Sequence, residues 1–174
     1  MTPIALPTPP LIRVATPADI PEIVRVTNLA YEVEAFCLLG ARTDAEAVRS
    51  DMQEGQFLVL EDPVDGSVLR GSVFVSMAQG RGYLGTLAVA PDCQGQGLAK
   101  ALVRAVEAHC RAAGCGFLDL SVVNHRRELF PFYAKLGFIS SAVLPFPRPD
   151  KLLQPLHLVQ MTKPLRTGEG SDEG

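Results

Sequence analysis

The chain has 174 residues, 16 lysines and arginines against 19 acidic residues, and a formal net charge of −3. That length gives one domain burying about two-thirds of its unfolded surface, the acidic balance excludes the basic face a nucleic-acid binder needs, and no apolar run approaches the ~20 residues of a membrane span. The N-terminal M-T-P-I-A-L-P-T-P-P lacks a charged region followed by a long apolar core, so it is no secretory signal, and Cys37, Cys93, Cys110 and Cys115 form no C-x-x-C pair, which points to free thiols in a cytoplasmic setting.

In chain order, residues 1–10 hold four prolines and little that can pack, which makes them a flexible arm. Residues 11–15 read as a short strand. Thr16 as N-cap, Pro17 at the first helical position and Asp19 open a helix. Ile20, Ile23, Val24, Thr27 and Tyr31 carry its apolar face to about Tyr31. Thr43 and Glu46 form a second capping box, opening a short helix to about Met52. Residues 56–61 and 68–78 are β-rich and flank the turn D-P-V-D-G-S, which makes a hairpin.

Residues 83–89 form another strand, and a helix runs from Gly97 to about Ala113, stopped by Gly114. There follow a strand over 117–123, a helix over 128–135, a strand over 138–143, a proline-rich loop over 145–155 and a last strand over 156–163. Residues 167–174, T-G-E-G-S-D-E-G, make a disordered acidic tail, which leaves 11–166 as the compact domain. The order β-α-α-β-β-β-α-β-α-β-β is α+β: a mixed sheet rather than a regular βαβ alternation.

The segment L-A-V-A-P-D-C-Q-G-Q-G-L-A-K-A-L, residues 87–102, carries the chemistry. A strand runs through a proline into a turn with Gly95 and Gly97, then into a helix with no acidic residue in its first two turns. A helix start offers unpaired N–H groups and about half a positive charge, and glycines let a bulky anion approach them. The turn reads as an anion cradle, with a cofactor pyrophosphate as the expected anion. In the helix, Lys100, Arg104, Glu107 and Arg111 share one face, while Leu98, Leu102, Ala105, His109 and Ala112 share the other. That predicts packing on a sheet, with Glu107 and Arg111 as a surface pair. A Walker loop is excluded because Ala101 follows Lys100, and a G-x-G-x-x-G fingerprint fits poorly because Lys100 stands where its last glycine would be and a plain βαβ near the N-terminus is missing.

Q-G-Q-G-L-A, Gln94 to Ala99, matches the [QR]-x-x-G-x-[GA] signature of the GNAT superfamily of N-acetyltransferases, and L-A-V before Pro91 resembles that family's fourth strand. E-L-F-P-F-Y-A-K-L-G-F, residues 128–138, resembles its second motif. R-x-E-L-x-x-F-Y followed by G-F and P-F-P looks like a bacterial subgroup with unassigned acceptors.

The resemblance implies a single GNAT-like domain: a central, mostly antiparallel mixed sheet with helices on both faces. It also implies an acyltransferase that uses acetyl-CoA as co-substrate. Backbone N–H groups of Gln94, Gly95, Gln96, Gly97, Leu98 and Ala99 would hold the pyrophosphate, with Lys100 adding charge. Leu87, Ala88 and Val89 would pair with the pantetheine arm, and the Val89 N–H would face the thioester oxygen. Tyr133 would protonate the departing thiolate; ordinary phenol and thiol pKa values make that transfer nearly balanced. Asn124 sits near the family's cofactor-touching asparagine, though nine residues before Tyr133 rather than seven.

The strand Y-L-G-T-L-A-V lacks the carboxylate that many relatives use as base, so Glu32 and Glu34 are the candidates for that role. No cysteine or serine beside the cradle has a base next to it, so direct transfer in a ternary complex is expected. The missing strand carboxylate and the shifted Asn124 keep open an alternative, a non-catalytic coenzyme A-binding module or sensor. The acceptor amine, small molecule or peptide, is specified by the loops 32–43 and 144–155, and the net acidity favours a cationic one. No metal site is expected: His109 with Cys110 and Cys115 matches no zinc spacing. His109, His157 and the cysteines read as packing residues and Arg126 with Arg127 as a solvated corner. The last strands leave a homodimer open.

Overall fold

The computed structural model describes residues 10–165. The expected acidic tail, and the proline-rich arm apart from Pro10, lie outside the described residues. The elements are β1 (Ile12–Val14), α1 (Ile20–Ala30), α2 (Ala45–Glu54), β2 (Gln56–Glu61), β3 (Leu69–Ala78), β4 (Arg81–Val89), α3 (Leu98–Ala112), β5 (Phe117–Val123), α4 (Leu129–Lys135), β6 (Ile139–Pro145) and β7 (His157–Pro164).

Local chemistry explains most of the boundaries. At the entry to α1 the Asp19 carboxylate accepts from the Thr16 N–H at 2.8 Å, over a 3-10 turn at Pro17–Asp19. The α2 cap differs from the expected one. Asp44 rather than Thr43 is the N-cap, with Oδ1 accepting from the Ala47 N–H at 2.8 Å. Thr43 instead donates its N–H to Oδ1 of Asn28 at 2.9 Å, tying α2 to α1. The first helix ends at Ala30 and passes into a 3-10 turn, Tyr31–Glu34.

The seven strands form one sheet in the order β1-β2-β3-β4-β5-β7-β6, antiparallel except for the parallel pair β4–β5. The fold is α+β with helices on both faces, and strand alternation shows why. Leu58 and Leu60 of β2 join Leu102, Val103 and Val106 of α3 in one core cluster. Phe57 and Val59, pointing the other way, join Ile20 and Ile23 of α1 and Val48 of α2 in a second. Among the described residues no helix is long and apolar enough to cross a membrane.

One face assignment on α3 is corrected. Glu107 is fully buried rather than on the surface. Lys163 of β7 donates to its carboxylate at 2.8 Å, and Arg104 and Arg111 lie at 3.2 and 3.7 Å. A buried carboxylate is tolerated because cations surround it. The face against the sheet is Leu98, Leu102, Val103, Val106 and Cys110, with His109 partly exposed at its edge.

The feature that positions the site is a fork in the sheet. β4 and β5 pair only from Arg81↔Phe117 to Tyr83↔Asp119. Beyond Tyr83 they separate. In the same stretch Thr86 takes φ +47, and the β3–β4 register shifts between Ser72 and Phe74. A β-branched residue in left-handed backbone is strained and marks a bulge that swings β4 away from its neighbour.

Candidate active site

The cradle turn is built as the glycines require. Gly95 has φ +80, and Gly97, the N-cap of α3, has φ +77. A Cβ at either position would meet nothing within 4 Å, so the space above the turn is open. Among the described residues no group accepts from the N–H groups of Gly95 through Lys100, whereas the Gln94 N–H reaches the Pro91 carbonyl at 3.5 Å. The turn is braced from outside: the Gln94 side chain donates to the Val89 carbonyl (3.3 Å) and Arg70 donates to Oε1 of Gln96 (3.0 Å). Free donors, open space and the positive end of a helix with no acidic first turn fit a diphosphate.

A cavity of about 220 Å³ lies over this turn, lined by Val89, Gly95, Gly97, Ala99, Lys100 and Phe132 among others. It shares Val89, Gln94, Ala99 and Phe132 with a cavity of about 360 Å³ that also touches Leu87 and Tyr133. That one shares Leu87, Leu129, Tyr31 and Tyr133 with a cavity of about 190 Å³ inside the fork. The result is a groove from the helix start to the fork. Along it, the Ala90 N–H bonds to the Arg70 carbonyl on β3 (2.8 Å). By strand alternation Leu87 and Val89 therefore turn their backbone groups away from β3, toward the gap. Ala88 is buried and paired with Ser72, facing β3.

Tyr133 of α4 stands where groove and fork meet. Its side chain is 5% exposed, edge-on to Phe132 and Phe138 at ring separations of 5.0 and 5.7 Å. Burial, with nearby Tyr31 adding to it, holds its hydroxyl well above the ordinary phenol range. The balance expected from ordinary values is thereby altered on the phenol side.

Glu34 and Glu32 separate sharply. Glu32 is exposed, while Glu34 is 5% exposed and lines both the fork cavity and a larger chamber beyond it. Its Oε1 accepts from Arg126 at 3.1 Å, and its Oε2 is buried with no partner. Arg126 is correspondingly no solvated corner; its side chain is 19% exposed and also pairs with Glu128 at 2.6 Å. Asn124 follows Val123 of the fork lining, and its Oδ1 accepts from the His157 N–H (3.0 Å), holding β7 against the end of β5.

Sequence reasoning passed over Tyr31, Arg42 and Arg148, which line fork and chamber together with Glu34. The only signal for them was their place in or directly beside the two loops expected to surround the acceptor.

Strand fork, glycine cradle and groove together make an elongated site with an anion-accepting turn at one end. A family model described as the acetyltransferase (GNAT) family matches residues 26–138. The chain belongs to that family; it is an acyltransferase, and acetyl-CoA is its co-substrate.

Among solved structures, the ribosomal-protein-S18-alanine N-acetyltransferase of Escherichia coli is 18% identical. The match covers 95% of this chain and 99% of that one, with a TM-score of 0.72. A nourseothricin acetyltransferase is also 18% identical over 91% and 100% of the two chains, TM-score 0.72. The ribosomal-protein-alanine N-acetyltransferase of Brucella melitensis is 20% identical over 89% and 99%, TM-score 0.72. At these identities the likeness is one of fold. No curated protein sequence gives a significant match.

Proposed function

We propose that the protein transfers the acetyl group of acetyl-CoA directly to an amine within a ternary complex, with Tyr133 as acid and Glu34 as base. The carrying observation is the groove itself. It runs from six unpartnered N–H groups, past the β4 edge, to a tyrosine hydroxyl and a buried carboxylate at one fork.

Acetyl-CoA supplies an activated thioester carbonyl. The N–H groups of Gly95 to Lys100 hold the diphosphate, with the Lys100 ammonium alongside. Leu87 and Val89 offer the strand-edge groups that align the pantetheine arm, and the Val89 N–H is the donor for the thioester oxygen. The acceptor ammonium gives its first proton to solvent, and Glu34 Oε2 takes the second as the nitrogen's bond to the carbonyl carbon forms. Tyr133 Oη gives a proton to the sulfur as the carbon–sulfur bond breaks. Cys93 lines the cavity over the cradle, its thiol between Arg70 at 3.4 Å and Asp92 at 3.6 Å, and lines neither the mid-groove nor the fork cavity where Tyr133 and Glu34 stand, which favours direct transfer over an acyl-enzyme.

Calorimetry with acetyl-CoA tests the assignment. Ala99→Trp puts an indole into the groove from ordinary helical backbone, and Gly97→Trp does so from the turn, at an added cost of about 1–2 kcal/mol for its left-handed φ. Both variants should keep the native circular dichroism and lose measurable binding; wild-type affinity in Ala99→Trp removes the cradle assignment. Initial-velocity patterns should intersect, and parallel lines would exclude the ternary complex.

A further inference from the structure

Beyond the fork lies a cavity of about 370 Å³ lined by charges of both signs. One wall is the 3-10 turn carrying Glu32 and Glu34. The same cavity is lined by Arg42, which stacks against Tyr31 of that turn, by Arg148 and Lys151, and by the apolar Leu38, Leu39 and Phe146. Pairing within the protein leaves an imbalance. Arg148 has Asp150 at 3.4 Å, and Glu34 has Arg126 on one oxygen only. Arg42 and Lys151 form no ion pair with any described residue; the Arg42 guanidinium sits 4.8 Å from the centre of the Tyr31 ring. Main-chain bonds tie together the two loops that line it, Leu39 N–H to the Lys151 carbonyl (2.8 Å) and Leu153 N–H to the Cys37 carbonyl (2.9 Å).

We propose that this chamber selects a zwitterionic acceptor, a primary amine and a carboxylate on a compact apolar body the size of an apolar amino acid. The inference rests on the acetyl-transfer reading above. The amine goes to Glu34, which borders both chamber and fork, so the nitrogen is presented to the thioester. The carboxylate goes to Lys151, which borders the chamber alone, with Arg42 at the junction as the second cation. Charge-assisted bonds to a carboxylate are roughly twice as strong as neutral ones, and the same two cations repel an acceptor that carries only positive charge. The net acidity of the chain, which alone favours a cationic acceptor, is overruled by the local field.

The test is acetyl transfer by the wild-type enzyme to L-leucine, L-methionine and L-phenylalanine, set against their carboxamides and a linear diamine. The free acids should show kcat/KM at least about tenfold above the carboxamides. Lys151→Gln should raise KM for the acids about tenfold, leave the carboxamides unchanged and bring the ratio toward one; Arg42→Gln should act in the same direction. Carboxamides or diamine used as well as the acids, no acid acetylated at all, or an unchanged ratio in both variants would overturn the selectivity. Acetyl-CoA titrated into the same preparations separates the two readings. Binding retained with acids rejected overturns this inference alone, whereas no binding overturns the transfer reading and this one with it.

Discussion

Tyr133 is packed between Phe132 and Phe138, so replacing it with phenylalanine removes one oxygen and keeps the aromatic contacts. Tyr133→Phe should lower kcat about 10²-fold with KM for acetyl-CoA unchanged in steady-state kinetics, the pattern of a lost acid rather than lost binding. A rate within about twofold of wild type would return the residue to the core. Its titration gives a second signature. Burial raises the hydroxyl's pKa in the folded state, so the folded chain holds that proton more tightly than the unfolded one. The stability this contributes is complete below the unfolded phenol value of about 10 and is lost as pH rises above it. Between pH 8 and pH 11, denaturant melts should therefore show a larger loss in wild type than in Tyr133→Phe. The tyrosine and the cradle glycines were legible in the sequence because each motif is spelled within a dozen neighbouring residues. The role of Arg126 was not, because its partner Glu34 stands 92 positions away.

At the scale of elements, the order of strands and helices was legible from periodicity and turn residues, with boundaries a residue or two off. The phase of α3 was partly misread: stepping along the helix groups Glu107 with the basic residues, but nothing local announces that Lys163 of the last strand will cover it. The fork had no local signal at all, since β4 and β5 read as ordinary strands and Thr86 as an ordinary strand residue. What aims the cradle at the fork is the docking of α3 on the sheet, and that docking depends on Gly82. A Cβ there would overlap the Cys110 sulfur and come within 3.2 Å of a Leu118 methyl. Gly82→Val should cost about 1–3 kcal/mol in chemical denaturation, the range for overpacking a filled core. Gly116→Ala, where a Cβ meets nothing within 4 Å, is the control and should change stability by less than about 0.5 kcal/mol. Equal losses in the two would mean that the α3–β4 contact does not set the geometry.

Across the whole molecule, the sheet is two blocks, β1–β4 and β5–β7, joined by only three residue pairs before the strands part. The loops expected to surround the acceptor, 32–43 and 144–155, do meet across the chamber. What their composition left open was the charge pattern formed when they meet. Where the blocks still pair, Arg81 of β4 grips Asp119 of β5 at 2.8 Å; at the open end the Glu34–Arg126 pair is a further side-chain tie, so the site's carboxylate also takes part in aligning the two blocks. Removing either partner has unequal consequences. Glu34→Gln leaves Arg126 its second partner, Glu128 at 2.6 Å, and should cost less than about 1 kcal/mol. Arg126→Met leaves a buried carboxylate with neither oxygen paired, and should cost about 2 kcal/mol, below the 3–5 of a fully enclosed pair because Arg126 retains some exposure to water. In the double variant no charge is stranded, so its loss should be smaller than the sum by about 1 kcal/mol or more. The cycle is read by urea denaturation at neutral pH. Strict additivity would mean that Glu34 is held by its 3-10 turn alone and that the fork is closed by the backbone without help from this pair.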